Sequence, residues 1–154
     1  MAIGGEAGME MRQLSDGKVT CYLDFLQPIK QLALSQDGNR LAVNLFDNSV
    51  ELWDLESNKI IRTFTPSNRV YSLEFHPNSR ILGIVQKSTS DDLTTVLLYE
   101  SLTSKELMRV EQAEVTNIQF GYDKQNYSFV VTGIETVDIR TLFENMLLLS
   151  SRLL

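Results

Sequence analysis

The strongest constraint on this chain is a set of short alternating segments that returns at a regular spacing. The clearest copy is Val50-Glu51-Leu52-Trp53-Asp54-Leu55, inside a line from Arg40 to Phe64. Asp47-Asn48-Ser49 and Glu56-Ser57-Asn58-Lys59 cut that line into pieces. Alternation of apolar and polar side chains suits strands rather than helices, and Asp, Asn and Ser supply turn geometry between them. Val50, Leu52 and Trp53 fall on Val96, Leu98 and Tyr99, then on Val137, Ile139 and Arg140, and backwards on Met9, Met11 and Arg12. The preceding strand repeats too: Ile29, Leu32 and Leu34 match Val70, Leu73 and Phe75, then Val115, Ile118 and Phe120. Four short strands per roughly 40–45 residues is the period of a propeller blade.

A lone four-stranded blade cannot bury both faces, whereas blades stacked around an axis cover one another. That explains apolar residues on both alternate sets, as in Leu41-Ala42-Val43 and Ile81-Leu82-Gly83-Ile84-Val85. The expected strands are Met9–Leu14 and Val19–Leu23, joined by Ser15-Asp16-Gly17-Lys18, followed by two sets of four. The first set is Ile29–Ser35, Arg40–Phe46, Val50–Leu55 and Ile60–Thr65; the second is Val70–His76, Arg80–Gln86, Thr95–Ser101 and Glu106–Glu111. A last set holds Val115–Gly121, Tyr127–Thr132, Thr136–Leu142 and a strand over Met146–Ser150, with a helix over Thr141–Leu154 as the alternative. Residues 1–8 are Gly-rich with no apolar period and read as a flexible terminus. The repeat copies fall at about 9–27, 28–66, 67–112 and 113–154.

Two stretches resemble the WD40 repeat: Ser35-Gln36-Asp37-Gly38-Asn39-Arg40-Leu41-Ala42 through Trp53-Asp54, and Phe75-His76-Pro77-Asn78. The resemblance implies an all-β, partial β-propeller that acts as a rigid platform for peptides or partner subunits, without chemistry of its own. It also implies a hydrogen-bond tetrad, of which the chain keeps Asp47 and Trp53 but has Leu45 in place of Ser or Thr and no Gly-His pair. Later copies replace Trp-Asp by Tyr99-Glu100 and Arg140-Thr141, so the repeats are degenerate and apolar burial should hold the blades. The strands make about three and a half four-stranded blades, fewer than the 4–8 of a closed propeller. A second copy or another chain that completes the ring is therefore an alternative role.

Composition narrows the function classes. A net charge of −6 disfavours direct nucleic-acid binding, which needs clustered Lys and Arg. Cys21 is the only cysteine, so no internal disulfide forms, and MAIGGEAGMEM lacks the basic and apolar blocks of a secretory signal. Met146–Leu154 is apolar but far too short to span a membrane, and an intracellular, soluble protein is expected. Asn126-Tyr127-Ser128 matches a glycosylation sequon that carries no weight without such a signal. Zinc needs more ligands than His76 and Cys21, and Asp37, Asp47, Asp91 and Asp92 lack the spacing of a calcium loop. No cofactor, metal or catalytic residue is expected, and an enzyme is the weaker rival.

Partner contacts are placed instead on one rim, where blade links gather. Lys30 and Tyr71 begin inner strands there, and Asp47, Asn48, Ser67, Asn68, Arg69 and Glu135 sit in adjoining links. Asp91 and Asp92 lie in the Ser88–Thr94 insert on the same rim. Trp53-Asp54 reads as structural, with the indole between blades and Asp54 accepting from backbone donors.

Overall fold

The computed structural model describes residues 2–4, 8–88, 93–113, 115–121, 128–133 and 137–141, and its strands lie in four antiparallel sheets. The first sheet has β1 (Ala2–Gly4), β2 (Gly8–Arg12) and β3 (Val19–Asp24). The second runs β4 (Ile29–Leu34), β5 (Arg40–Leu45), β6 (Val50–Asp54) and β7 (Lys59–Phe64) in sequence order. The third repeats that order with β8 (Arg69–Phe75), β9 (Ile81–Lys87), β10 (Leu93–Glu100) and β11 (Glu106–Ala113). The fourth holds β12 (Val115–Phe120), β13 (Ser128–Gly133) and β14 (Val137–Thr141). No helix occurs among the described residues. The expected Met146–Ser150 strand, and the helix that competes with it, lie outside them.

Each sheet packs face to face on the next, and three apolar clusters fill the three interfaces. Met9, Leu23 and Phe25 meet Leu41, Val43 and Leu45 between the first and second sheets. Ala42, Val50, Leu52 and Phe64 meet Val70, Leu73, Leu82, Ile84 and Leu97 between the second and third. Ile81, Val85, Val96 and Leu98 meet Val115 and Ile118 between the third and fourth. On β5, Leu41 and Val43 therefore face one neighbour while Ala42 faces the other. On β9 the same split separates Ile81 and Val85 from Leu82 and Ile84. Fully burying one such aliphatic side chain contributes about 1.5–3 kcal/mol.

Two details depart from the expectation. The terminus read as flexible carries β1, whose Ala2, Ile3 and Gly4 pair with Met11, Glu10 and Met9. Backbone pairing needs no apolar period, so the side-chain pattern gave no sign of it. In addition, β10 starts at Leu93, which shortens the Ser88–Thr94 insert.

Close packing shows most clearly at Gly83 on β9. A Cβ there would stand 3.0 Å from Ile118 Cδ1 and 3.2 Å from the Phe120 ring. The glycine lets the third and fourth sheets approach, which is a recognised role for Gly within strands. Gly83→Val is expected to lower unfolding stability by about 1–3 kcal/mol in urea titration, while the exposed Leu102→Val stays within about 0.5 kcal/mol of the parent.

Candidate functional site

The innermost strands β4, β8 and β12 share one irregularity. In β4 the pairing with β5 steps from Ile29↔Leu45 to Gln31↔Asn44, leaving Lys30 out of the ladder. In β8 it steps from Val70↔Gln86 to Ser72↔Val85, leaving out Tyr71. In β12 it steps from Val115↔Gly133 to Asn117↔Thr132, leaving out Thr116. Each is a β-bulge, in which an extra residue bends the strand and re-aims a side chain. Lys30, Tyr71 and Thr116 are all exposed, between buried or half-buried neighbours. Three equivalent positions on adjacent blades thus turn outward at the same end of the stack. A trace of this was legible: the matched apolar residues Ile29 and Leu32, Val70 and Leu73, and Val115 and Ile118 stand three apart, where strict alternation requires an even step.

The structure gathers some expected contact residues and gives others internal work. Lys30 Nζ donates to Asn48 Oδ1 at 2.9 Å and lies 5.0 Å from the centre of the Phe46 ring. Phe46 is 66% exposed, and the sequence reading missed it because it was counted as the end of a buried strand. Arg69 stacks over Tyr71 at 5.3 Å, and Asn68 is half-buried in the link before β8. Two cation–aromatic pairs thus occupy adjoining blades, each worth about 0.5–1 kcal/mol at an exposed site.

Asp47 has a different position. Its carboxylate accepts from Ser49 N at 2.9 Å and from Gln27 Nε2 at 2.7 Å. Hydrogen bonds from Ser49 and Gln27 hold it below the usual carboxylate range. Asn48 takes a positive φ of 69°, a left-handed conformation that Asn tolerates better than most residues. These two residues shape the β5–β6 turn and brace Lys30. Asp91, Asp92 and Glu135 lie outside the described residues.

The conspicuous tryptophan is part of the packing. Trp53 meets Phe25 edge to face at 5.6 Å, and its Nε1 donates to Glu51 Oε2 at 2.9 Å. Its indole proton therefore goes to its own strand and not to Asp47, so the family's tetrad is not assembled. Asp54 accepts from Ser57 N at 2.7 Å, the expected turn role.

The opposite end of the stack is locked by polar groups around the buried Ser79 and Ser101. Arg40 Nη1 donates to Ser101 Oγ at 2.7 Å and to Ser79 O at 3.2 Å, joining the second sheet to the third. Asp37 N donates to Ser79 Oγ at 3.1 Å, and Ser101 Oγ donates to Ser79 O at 2.8 Å. Ser79 has a φ of 61° and is buried, so the conformation is held by its surroundings. His76 lies beside this network, 4% exposed and edge-on to Phe120 at 5.2 Å. Its Nδ1 accepts from Asn78 N at 3.1 Å. No group of three His, Cys, Asp or Glu fit to hold a metal occurs among the described residues.

Stacked four-stranded antiparallel sheets of this period, with an exposed bulged rim, define a β-propeller repeat protein. The comparisons agree on the class. Residues 26–78 match the family described as the anaphase-promoting complex subunit 4 WD40 domain. The chain is also 31% identical over 68 residues to eukaryotic translation initiation factor 3 subunit I of Phaeosphaeria nodorum. That match covers 44% of this chain and 20% of the relative, so the chain spans a minor part of that protein's length. The likeness to WD40 repeats thus rests on residues 26–78, which span β4 to β8, within a stack of sheets folded as part of a propeller.

Burial pushes the His76 pKa below its ordinary value, with a definite consequence for stability. The unfolded chain, whose histidine titrates near about 6.5, then binds more protons than the folded one. Stability should fall as pH drops below about 6.5, by at most about 1.4 kcal/mol per pH unit from this one group. Urea titrations between about pH 7 and 5.5 should show that slope, and His76→Gln should flatten it.

Proposed function

We propose that the chain is a protein-interaction subunit whose rim, built on Lys30 and Tyr71 with Phe46, Arg69 and Thr116, receives a segment of a partner protein. The carrying observation is the bulge that recurs at the same position of β4, β8 and β12. Each bulge lets apolar residues three apart, such as Val70 and Leu73 or Val115 and Ile118, face one core, and it turns the side chain between them out of the ladder. Exposed aromatic residues beneath cations suit recognition, since such rings contribute large contact area at little entropic cost. Blades packed on both sides hold these side chains still, so less ordering is required on binding. The names of the matched proteins, each a subunit of an assembly, fit the same class of role.

A photo-crosslinking residue placed at Tyr71 or Phe46 should give one shared adduct in native extract, and one placed at Leu102, exposed at the far end, should not. Lys30→Glu combined with Tyr71→Ala should weaken capture of that protein by about tenfold or more while leaving the melting temperature within about 2 °C. Equal adducts at Leu102, or capture unaffected by the double change, contradicts the rim assignment.

A second reading is that another copy or chain adds blades to this one at the first sheet. Its face away from the second sheet carries Glu10 and Arg12, which pair with one another, and Tyr22, 57% exposed. Sedimentation of the purified chain decides it: a dimer or a complex of fixed stoichiometry is expected on this reading, and a stable folded monomer rules it out.

A further inference from the structure

Next to the rim, the second and third sheets separate at their outer side to leave a cleft of about 300 Å³. Ile84 and Leu97 line it together with Phe64 and Tyr99, whose rings stand 4.7 Å apart. Arg62 and Arg109 border it, as do the hydroxyls of Thr63, Thr65 and Ser67. Two features of this cleft are unexplained by the fold.

The first is Gln86. Its side chain is 4% exposed and lines the cleft, and its Oε1 has no hydrogen-bond partner among the described residues. Leaving a buried amide oxygen unpaired costs about 1–3 kcal/mol, and Leu would fill the position without that penalty. The second is charge. Arg109 is engaged by Glu106 at 3.1 Å, but Arg62, over the Phe64 ring at 5.4 Å, pairs with no carboxylate among the described residues. In a chain of net charge −6, Arg62 thus sets one uncompensated positive charge at the edge of an apolar cleft.

We propose that this cleft is a second, lateral binding site for an extended acidic segment of a partner protein. A carboxylate would lie against Arg62, an apolar or aromatic neighbour would rest on Phe64, Tyr99 and Leu97, and a backbone N–H would satisfy Gln86. A peptide supplies all three groups within a few residues. A simple anion supplies only the first.

The test is selection of a random dodecapeptide library displayed on phage against the full chain, followed by affinity measurement on the synthetic winners. Peptides with Asp or Glu beside Phe, Tyr or Leu are expected, binding roughly tenfold more weakly to Arg62→Glu. Arg62 is exposed, so that variant should fold. Gln86→Leu should bind more weakly while melting at the same or a higher temperature, which a merely structural glutamine would not allow. Recovery of no peptides, winners without acidic residues, or winners indifferent to both cleft changes overturns the proposal. Winners lost only on Tyr71→Ala also overturn it, and assign peptide binding to the rim alone.

Discussion

The structure depends on one requirement: the inner sheets must bury both faces at once. β5 and β9 meet it with unbroken apolar runs, sending Leu41 and Val43 one way and Ala42 the other, then Ile81 and Val85 one way and Leu82 and Ile84 the other. Such a sheet has little room for a functional group on either face. Chemistry of recognition is therefore displaced to the ends of the strands and to gaps between blades. The rim bulges occupy the first kind of place, and the cleft beside Gln86 occupies the second.

The two ends of the stack have been put to different uses. At the far end Arg40, Ser79, Ser101 and Asp37 tie consecutive blades together through buried and half-buried hydrogen bonds. Those groups are satisfied by one another and leave little to offer a partner. At the rim Asp47 and Gln27 settle the turn, which frees Lys30, Phe46, Arg69 and Tyr71 to face solvent. Degenerate repeats make this division possible. With Trp53 bonded to Glu51, the second blade holds its shape without the family's tetrad.

Much of the fold was legible because alternation and turn residues report burial directly. The Val50–Leu55 line and its copies placed strands in all four sheets. What escaped was whatever depends on the partner strand. β1 pairs through its backbone, so Ala2–Gly4 carry no apolar signature. The bulges need two strands in register before the extra residue becomes visible, although the three-residue steps at Ile29, Val70 and Val115 left a trace. Lys30 and Tyr71 were named from their place at the start of inner strands. Phe46 was missed because an aromatic side chain at a strand end looks like core, and Gln86 because a polar residue that closes an apolar run looks like the start of a solvated link.

Amide hydrogen exchange with and without the rim-captured partner tests the account most directly. It predicts slower exchange in the complex around residues 29–31, 45–49, 69–72 and 115–117, with the turns at 35–40 and 76–81 unchanged. Protection concentrated at those far-end turns, with none at the rim, would contradict it.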